Sequence, residues 1–171
     1  MATEFTACGG DRVITDGEIA DIVQTLIPSG GRVLDVGCGD GSTLDVLADR
    51  GVLGMGADPY AYGKSAPCRR LRAEEIGSLE EEFDVVYTVY SLHHFDDPRQ
   101  FLREAKQVLS STGVLLIVDW VEEADTGAWE RYFSLEKVVQ WVTEVGFDLL
   151  RREVRGQTMI VARRIKGEGA K

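Results

Sequence analysis

The sequence predicts an α/β fold, three layers in which helices cover both faces of a mostly parallel sheet. Three observations predict it. Short β-rich runs alternate with amphipathic helical runs along the chain. The first β-rich run passes through a glycine-rich turn straight into a helical pattern. The last two runs, near residues 148–154 and 157–163, meet at Arg155-Gly156. A link that short makes an antiparallel hairpin, since a parallel pair needs a crossover of about a dozen residues. The 171 residues suit one domain, expected over 1–165, with 166–171 as a frayed tail.

Each element has a local reason. Thr15 followed by Glu18 is a capping-box signature, and Ile19, Ile22, Val23, Leu26 and Ile27 follow it at helical spacing until Pro28-Ser29-Gly30-Gly31. Arg32–Val36 reads as a buried first strand. The glycine turn opens a helix over 42–50, with Gly51 as its C′ residue. Residues 52–57, 68–72 and 84–89 are the next three strands. Asp97 and Pro98 supply the N-cap and first position of a helix that carries Phe101, Leu102, Ala105, Val108 and Leu109 on one face. Gly113 closes that helix, and 114–118 is the fifth strand. Ser134 and Gly146 bracket a last helix over 135–145.

Composition excludes several classes. A net charge of −10 repels nucleic-acid phosphates and anionic membranes, so the arginines near 69–72 and 151–164 read as guards of sheet edges. The longest apolar run, 114–118, is too short to span a bilayer, and the first residues lack a signal-peptide pattern, so the expected compartment is the cytoplasm. Cys8, Cys38 and Cys68 are odd in number and far apart in sequence, and are expected to be free thiols.

The chemistry concentrates at Asp35-x-Gly37-x-Gly39-x-Gly41. Glycines let a ligand approach the main chain closely. The spacing is not the dinucleotide pattern G-x-G-x-x-G, because Ser42 stands where its third glycine would be, and the ending of a phosphate-gripping loop is absent. Asp35, two residues before Gly37, disfavours a phosphate and favours a cation such as an ammonium or sulfonium. Asp58, just after the second strand, is placed either to take the two hydroxyls of a ribose or to start a turn with Pro59.

VLDVGCGDGSTL, GADP, FDVVYTVYSLHHF and GVLLIVDW together resemble the class I S-adenosylmethionine-dependent methyltransferases, most closely the small-molecule branch that includes ubiquinone-biosynthesis methyltransferases. The resemblance runs from about Ile14 to Arg164. It implies a Rossmann-like sheet of seven strands in the order 3-2-1-4-5-7-6, with strand 7 antiparallel. It also implies S-adenosyl-L-methionine as cofactor and S-adenosyl-L-homocysteine as product. By the same resemblance Asp35, Gly37, Cys38 and Gly39 line the methionine part of the cofactor, Asp58 holds the ribose, and Pro59 lies beside the adenine. Ala73 and Glu74 take the place after strand three that meets the adenine amino group, although the usual Gly-Asp pair is missing. Thr88 and Val89 touch the methionine portion.

Methyl transfer from a sulfonium needs mainly proximity and a dry pocket, so a fixed base is optional. The histidines, His93 and His94, follow the fourth strand, and as sequence neighbours they are not expected to point at one centre or, alone, to make a metal site. His93 is the candidate general base, against a packing role. Asp119, at the end of strand five, either faces the same crevice or caps a turn. Trp120, Trp129, Tyr132 and Phe133 are four of the chain's 14 aromatic residues, clustered where the family shapes its acceptor pocket. The acceptor is expected to be a small molecule or peptide-borne group, with 1–14, the aromatic loop or a homodimer mate covering the pocket. A non-catalytic partner subunit of the same fold and an NAD-dependent oxidoreductase are the rival readings.

Overall fold

The structure, a computed structural model, describes residues 13–60 and 67–165. The tail 166–171, Cys8 and all but the last two residues of the expected pocket cover lie outside the described residues. The described chain runs α1 (Asp16–Leu26), β1 (Arg32–Val36), α2 (Ser42–Asp49), β2 (Leu53–Ala57), β3 (Cys68–Arg69), β4 (Phe83–Val89), α3 (Pro98–Val108), β5 (Leu109–Trp120), α4 (Leu135–Glu144), β6 (Phe147–Arg155) and β7 (Thr158–Ile165). The strands form one seven-stranded sheet in the order β3-β2-β1-β4-β5-β7-β6. All pairs are parallel except β5–β7 and β6–β7, so β7 alone runs against the sheet between its neighbours.

The expected caps form as hydrogen bonds. Thr15 and Glu18 exchange both bonds of the capping box at α1. One oxygen of Asp97 accepts from the backbone N–H groups of Arg99 and Gln100, each at 3.0 Å, at the start of α3. Ser134 accepts from Lys137 N–H at α4, and Gly146 leaves that helix with φ of 97°.

Alternate residues of each central strand enter two apolar layers. Leu34, Val86, Leu115 and Ile117 pack against Phe101 and Leu102 of α3 and Val138 and Val142 of α4. Val33, Val85, Tyr87, Leu116 and Val118 pack against Ile19 and Val23 of α1 and Leu44 and Leu47 of α2. Burying both faces explains why β4 and β5 read as continuous apolar runs rather than alternating ones.

Two expected boundaries move. The third strand shrinks to Cys68–Arg69, because Glu75 accepts from Arg72 N–H and starts a run of 3-10 turns over Ala73–Leu79 that buries Ala73 and Ile76. Gly113 does not close α3. Leu109 already turns extended and pairs with Phe83, while Val114 pairs with Val85, so residues 110–113 bulge out of the ladder. A Cβ on Gly113 would lie 2.8 Å from the Leu109 side chain, which is why the bulge returns through glycine. Among the described residues no helix is long and apolar enough to cross a membrane.

The doubly used Asp97 cap gives a first prediction. Asp97→Ala should cost about 1 kcal/mol, lowering the calorimetric unfolding midpoint by roughly 2–4 °C for a chain of this size.

Candidate active site

The site lies where β1 and β4, neighbours in space, send their following segments to opposite faces of the sheet, the crevice in which open α/β sheets bind ligands. β1 delivers Asp35, 4% exposed, opposite Tyr87 of β4. The chain then turns through Gly37, Gly39 and Gly41, with φ of 80°, 53° and 83°. Gly37 N–H donates to the Ala57 carbonyl at 2.7 Å, which ties the loop to β2. A Cβ on Gly37 would sit 2.6 Å from Ser91, so this position excludes any side chain on two counts. Ser91 Oγ in turn donates to the Gly37 and Val89 carbonyls.

Asp58 faces this loop from the end of β2. One oxygen accepts from Gly39 N–H at 3.1 Å and the other from Tyr60 N–H at 2.8 Å. The turn role and the site position that its sequence left open are therefore both occupied by the same carboxylate. Its remaining lone pairs are on a half-buried side chain, available to hydroxyl donors.

Burial dominates the electrostatics of Asp35. It pushes the carboxyl from 3.8 to about 7; the neighbouring Tyr87 hydroxyl pulls the other way, and the charges of Asp16 and Asp58 add to the rise. Burial and Asp35 together hold the Tyr87 hydroxyl well above its ordinary range. The Tyr87 and Thr88 hydroxyls are buried without a hydrogen bond of ordinary geometry. The floor beneath the glycine loop is thus a buried carboxyl short of a cation or a strong donor.

The other expected contacts divide. Thr88 is buried and Val89 half-buried at the end of β4, and Pro59 is exposed beside Asp58. Ala73 is buried at the start of the 3-10 run. Glu74, by contrast, spends one oxygen on Asp97 N–H at 2.9 Å, tying the 3-10 run to α3. Cys38 turns its side chain over Gly56 toward Cys68, leaving only its main chain to the loop. Their sulfurs lie 2.6 Å apart, so these two thiols, far apart in sequence, are neighbours in space.

A second cluster forms after β4. His93, its side chain 3% exposed, sits in a 3-10 turn over Leu92–His94. Its Nδ1 lies 2.7 Å from Asp119 Oδ1, and its backbone N–H donates to Asp119 Oδ2 at 3.0 Å. Asp119, 1% exposed on β5, also accepts from Trp120 N–H. An acceptor-only carboxylate at Nδ1 places the neutral ring's proton there and leaves the Nε2 lone pair free. This assigns Asp119 to the crevice rather than to turn capping alone.

The expectation that His93 and His94 cannot converge is overturned. Their rings approach to 4.0 Å, and their Nε2 atoms lie 3.6 and 3.7 Å from the two oxygens of Glu130. One donor atom from each of the three fits within 4.8 Å, a set whose imidazole and carboxylate chemistry suits borderline divalent cations. Glu130 is held below its ordinary range first by a hydrogen bond from Tyr132 and then by the two histidines. Sequence reasoning passed over Glu130, which carries no motif; its only signal was its place inside the aromatic segment.

The aromatic residues also divide. Tyr132 meets His93 edge-on at 4.8 Å, and Trp120 stacks on Tyr90 at 4.5 Å. Phe133 instead packs on Trp141 of α4, and Trp129 is fully exposed. Tyr90 has φ of 48°, and its hydroxyl accepts from Ile14 N–H and meets Thr158. It therefore pins the start of the described chain and β7 to the end of β4.

Comparison with known proteins identifies the family of the domain. A family model described as a methyltransferase domain matches residues 13–153. A ubiquinone biosynthesis O-methyltransferase of Rhizobium etli is 29% identical over 123 residues, 65% of this chain and 49% of the relative. The corresponding protein of a Ruegeria species is 30% identical over 141 residues, 74% of this chain and 56% of the relative. The chain spans about half the length of these curated relatives. The solved TehB-like methyltransferase of Corynebacterium glutamicum shares the fold, with a TM-score of 0.72 at 20% identity over 90% of this chain and 89% of that one.

The raised Asp35 carboxyl makes a stability prediction. In the folded chain the protonated form is favoured, so ionisation costs nothing below about pH 3.8, grows between there and pH 7, and is complete above pH 7. Asp35→Asn removes that cost, on the order of a few kcal/mol by the usual conversion. The variant should unfold several degrees above wild type at pH 8, with the gain shrinking toward pH 4, measured by scanning calorimetry across that range.

Proposed function

The chain belongs to the methyltransferase domain family, and we propose that it moves a methyl group from S-adenosylmethionine to a small-molecule or peptide-borne acceptor. The observation that carries this reading is the buried Asp35 under a loop whose three glycines are all left-handed, with Asp58 at the neighbouring strand end. The acidic floor and the orphaned Thr88 hydroxyl suit a cationic nucleoside. They suit a pyrophosphate poorly, which sets aside the NAD reading.

Asp35 and the main chain of Gly37, Cys38 and Gly39 hold the amino-acid end of the cofactor, with Thr88 and Val89 beside it. Asp58 takes the ribose hydroxyls, and Pro59 and Ala73 flank the adenine. Glu74 reaches it only with the lone pairs that Asp97 leaves free. When bound, S-adenosylmethionine supplies a methyl group activated by its sulfonium and leaves as S-adenosylhomocysteine.

His93 accepts the acceptor's proton at Nε2. Asp119 fixes the ring's tautomer and orientation and stabilises the imidazolium that results, acting as a positioning residue. Tyr90, Trp120 and Tyr132 keep water from this end of the crevice.

Calorimetry with S-adenosylmethionine and S-adenosylhomocysteine tests the reading. Both should bind wild type, and Asp58→Ala should weaken binding by roughly tenfold or more, the scale of losing hydrogen bonds to a charged group. No binding of either nucleoside at millimolar concentration would overturn it. With an acceptor found by screening, His93→Ala should lower kcat by about 10²–10⁴-fold while leaving S-adenosylhomocysteine affinity unchanged; an unaltered kcat would remove His93 as the base.

A further inference from the structure

We propose that Cys38 and Cys68 are a covalent modification site: a dithiol that oxidises to a disulfide and staples the glycine loop to the edge strand β3. The inference stands apart from methyl transfer and requires no cofactor.

Three observations carry it. The two sulfurs are 2.6 Å apart, about half an ångström beyond a disulfide bond of ~2.05 Å. They meet over Gly56, where a Cβ would overlap the Cys38 sulfur and lie 2.9 Å from the Cys68 sulfur, so the backbone of β2 leaves room for the pair. The bridge would also reinforce the weakest strand. β3 is two residues long, held to β2 by the Gly56–Cys68 and Ala57–Arg69 pairing and by bonds from Gly56 N–H to the Pro67 carbonyl and Asp58 N–H to the Arg69 carbonyl.

Accessibility sets the order of events. Cys38 is buried and Cys68 partly exposed, so Cys68 meets an oxidant such as oxidised glutathione first. Its thiolate attacks one sulfur of the oxidant, forming a mixed disulfide and expelling one glutathione thiolate. Cys38, deprotonated, then attacks the Cys68 sulfur and expels the second glutathione thiolate. The two cysteines lose two electrons and two protons, and two molecules of reduced glutathione result. Burial pushes both thiols up, with the Asp35 and Asp58 charges adding, so thiolate is scarce at neutral pH and the exchange is slow there.

Because the sulfurs have little distance to close, the staple should strengthen the fold without reshaping the pocket. The test uses the full chain carrying Cys8→Ser, which leaves two thiols, incubated with oxidised glutathione at pH 8.5. Thiol titration should fall from two to zero, and non-reducing peptide mass spectrometry should find Cys38 joined to Cys68 with the loss of two hydrogens. The oxidised chain should unfold about 5–10 °C higher than the reduced one, the range for closing a loop of this length. Adding Cys68→Ser should abolish both the cross-link and the gain while leaving the reduced midpoint unchanged, and Cys38→Ser serves if that variant fails to fold. Free thiols after incubation, glutathione adducts without a cross-link, or a cross-link that lowers the midpoint would each overturn the proposal. These readouts are independent of S-adenosylmethionine binding, so failure here and failure of the functional reading are distinguishable.

Discussion

The structure turns on one buried charge. Asp35 sits on β1, an inner strand of the sheet, beneath a loop that admits no side chain at Gly37 and beside a tyrosine hydroxyl that does not complete a hydrogen bond to it. A carboxyl so placed disfavours its own ionised form, and two further acidic side chains, Asp16 and Asp58, add to the difficulty. Nothing in the packing requires an acid here, since an apolar side chain would fill the position at lower cost. The arrangement is intelligible as one that a cationic ligand completes, which is how strain and unpaired charge are commonly held at functional sites.

The rest of the site follows from topology. β1, β4 and β5 are adjacent and parallel, so the segments leaving their carboxyl ends meet in one crevice: the glycine loop from β1, Tyr90 to His94 from β4, and Asp119 and Trp120 from β5. The His93–Asp119 contact ties the turn after β4 to β5, and its two bonds fix both the backbone and the ring. Tyr90 adopts a left-handed conformation rare for a bulky residue and is held there by stacking on Trp120 and by its hydroxyl contacts. The fold alone does not choose a chemistry. The acidic floor and the buried His93–Asp119 pair narrow it.

Much of this was legible because it is local. Thr15 with Glu18, Asp97 with Pro98, and Ser134 with Gly146 act within a helical turn, and the short link at Gly156 can only reverse the chain. The glycine loop was legible for the same reason, through three glycines within five residues, each of which takes a positive φ. What the sequence hid depends on register across the sheet. The bulge at residues 110–113 follows from where β5 meets β4, and the approach of Cys38 to Cys68 follows from β3 pairing beside Gly56. The convergence of His93 and His94 needed Glu130, 36 positions beyond His94, to arrive from another loop. No local pattern reports such a meeting.

The central claim, that Asp35 is held short of a cation until the nucleoside binds, is most directly tested by following its side-chain carboxyl by carbon-13 NMR across pH. In the free protein its titration midpoint should lie near 7, and saturating S-adenosylhomocysteine, whose ammonium group supplies the missing charge, should move it down by more than one unit. A midpoint already near 4 in the free protein, or one that the nucleoside leaves in place, would contradict the account.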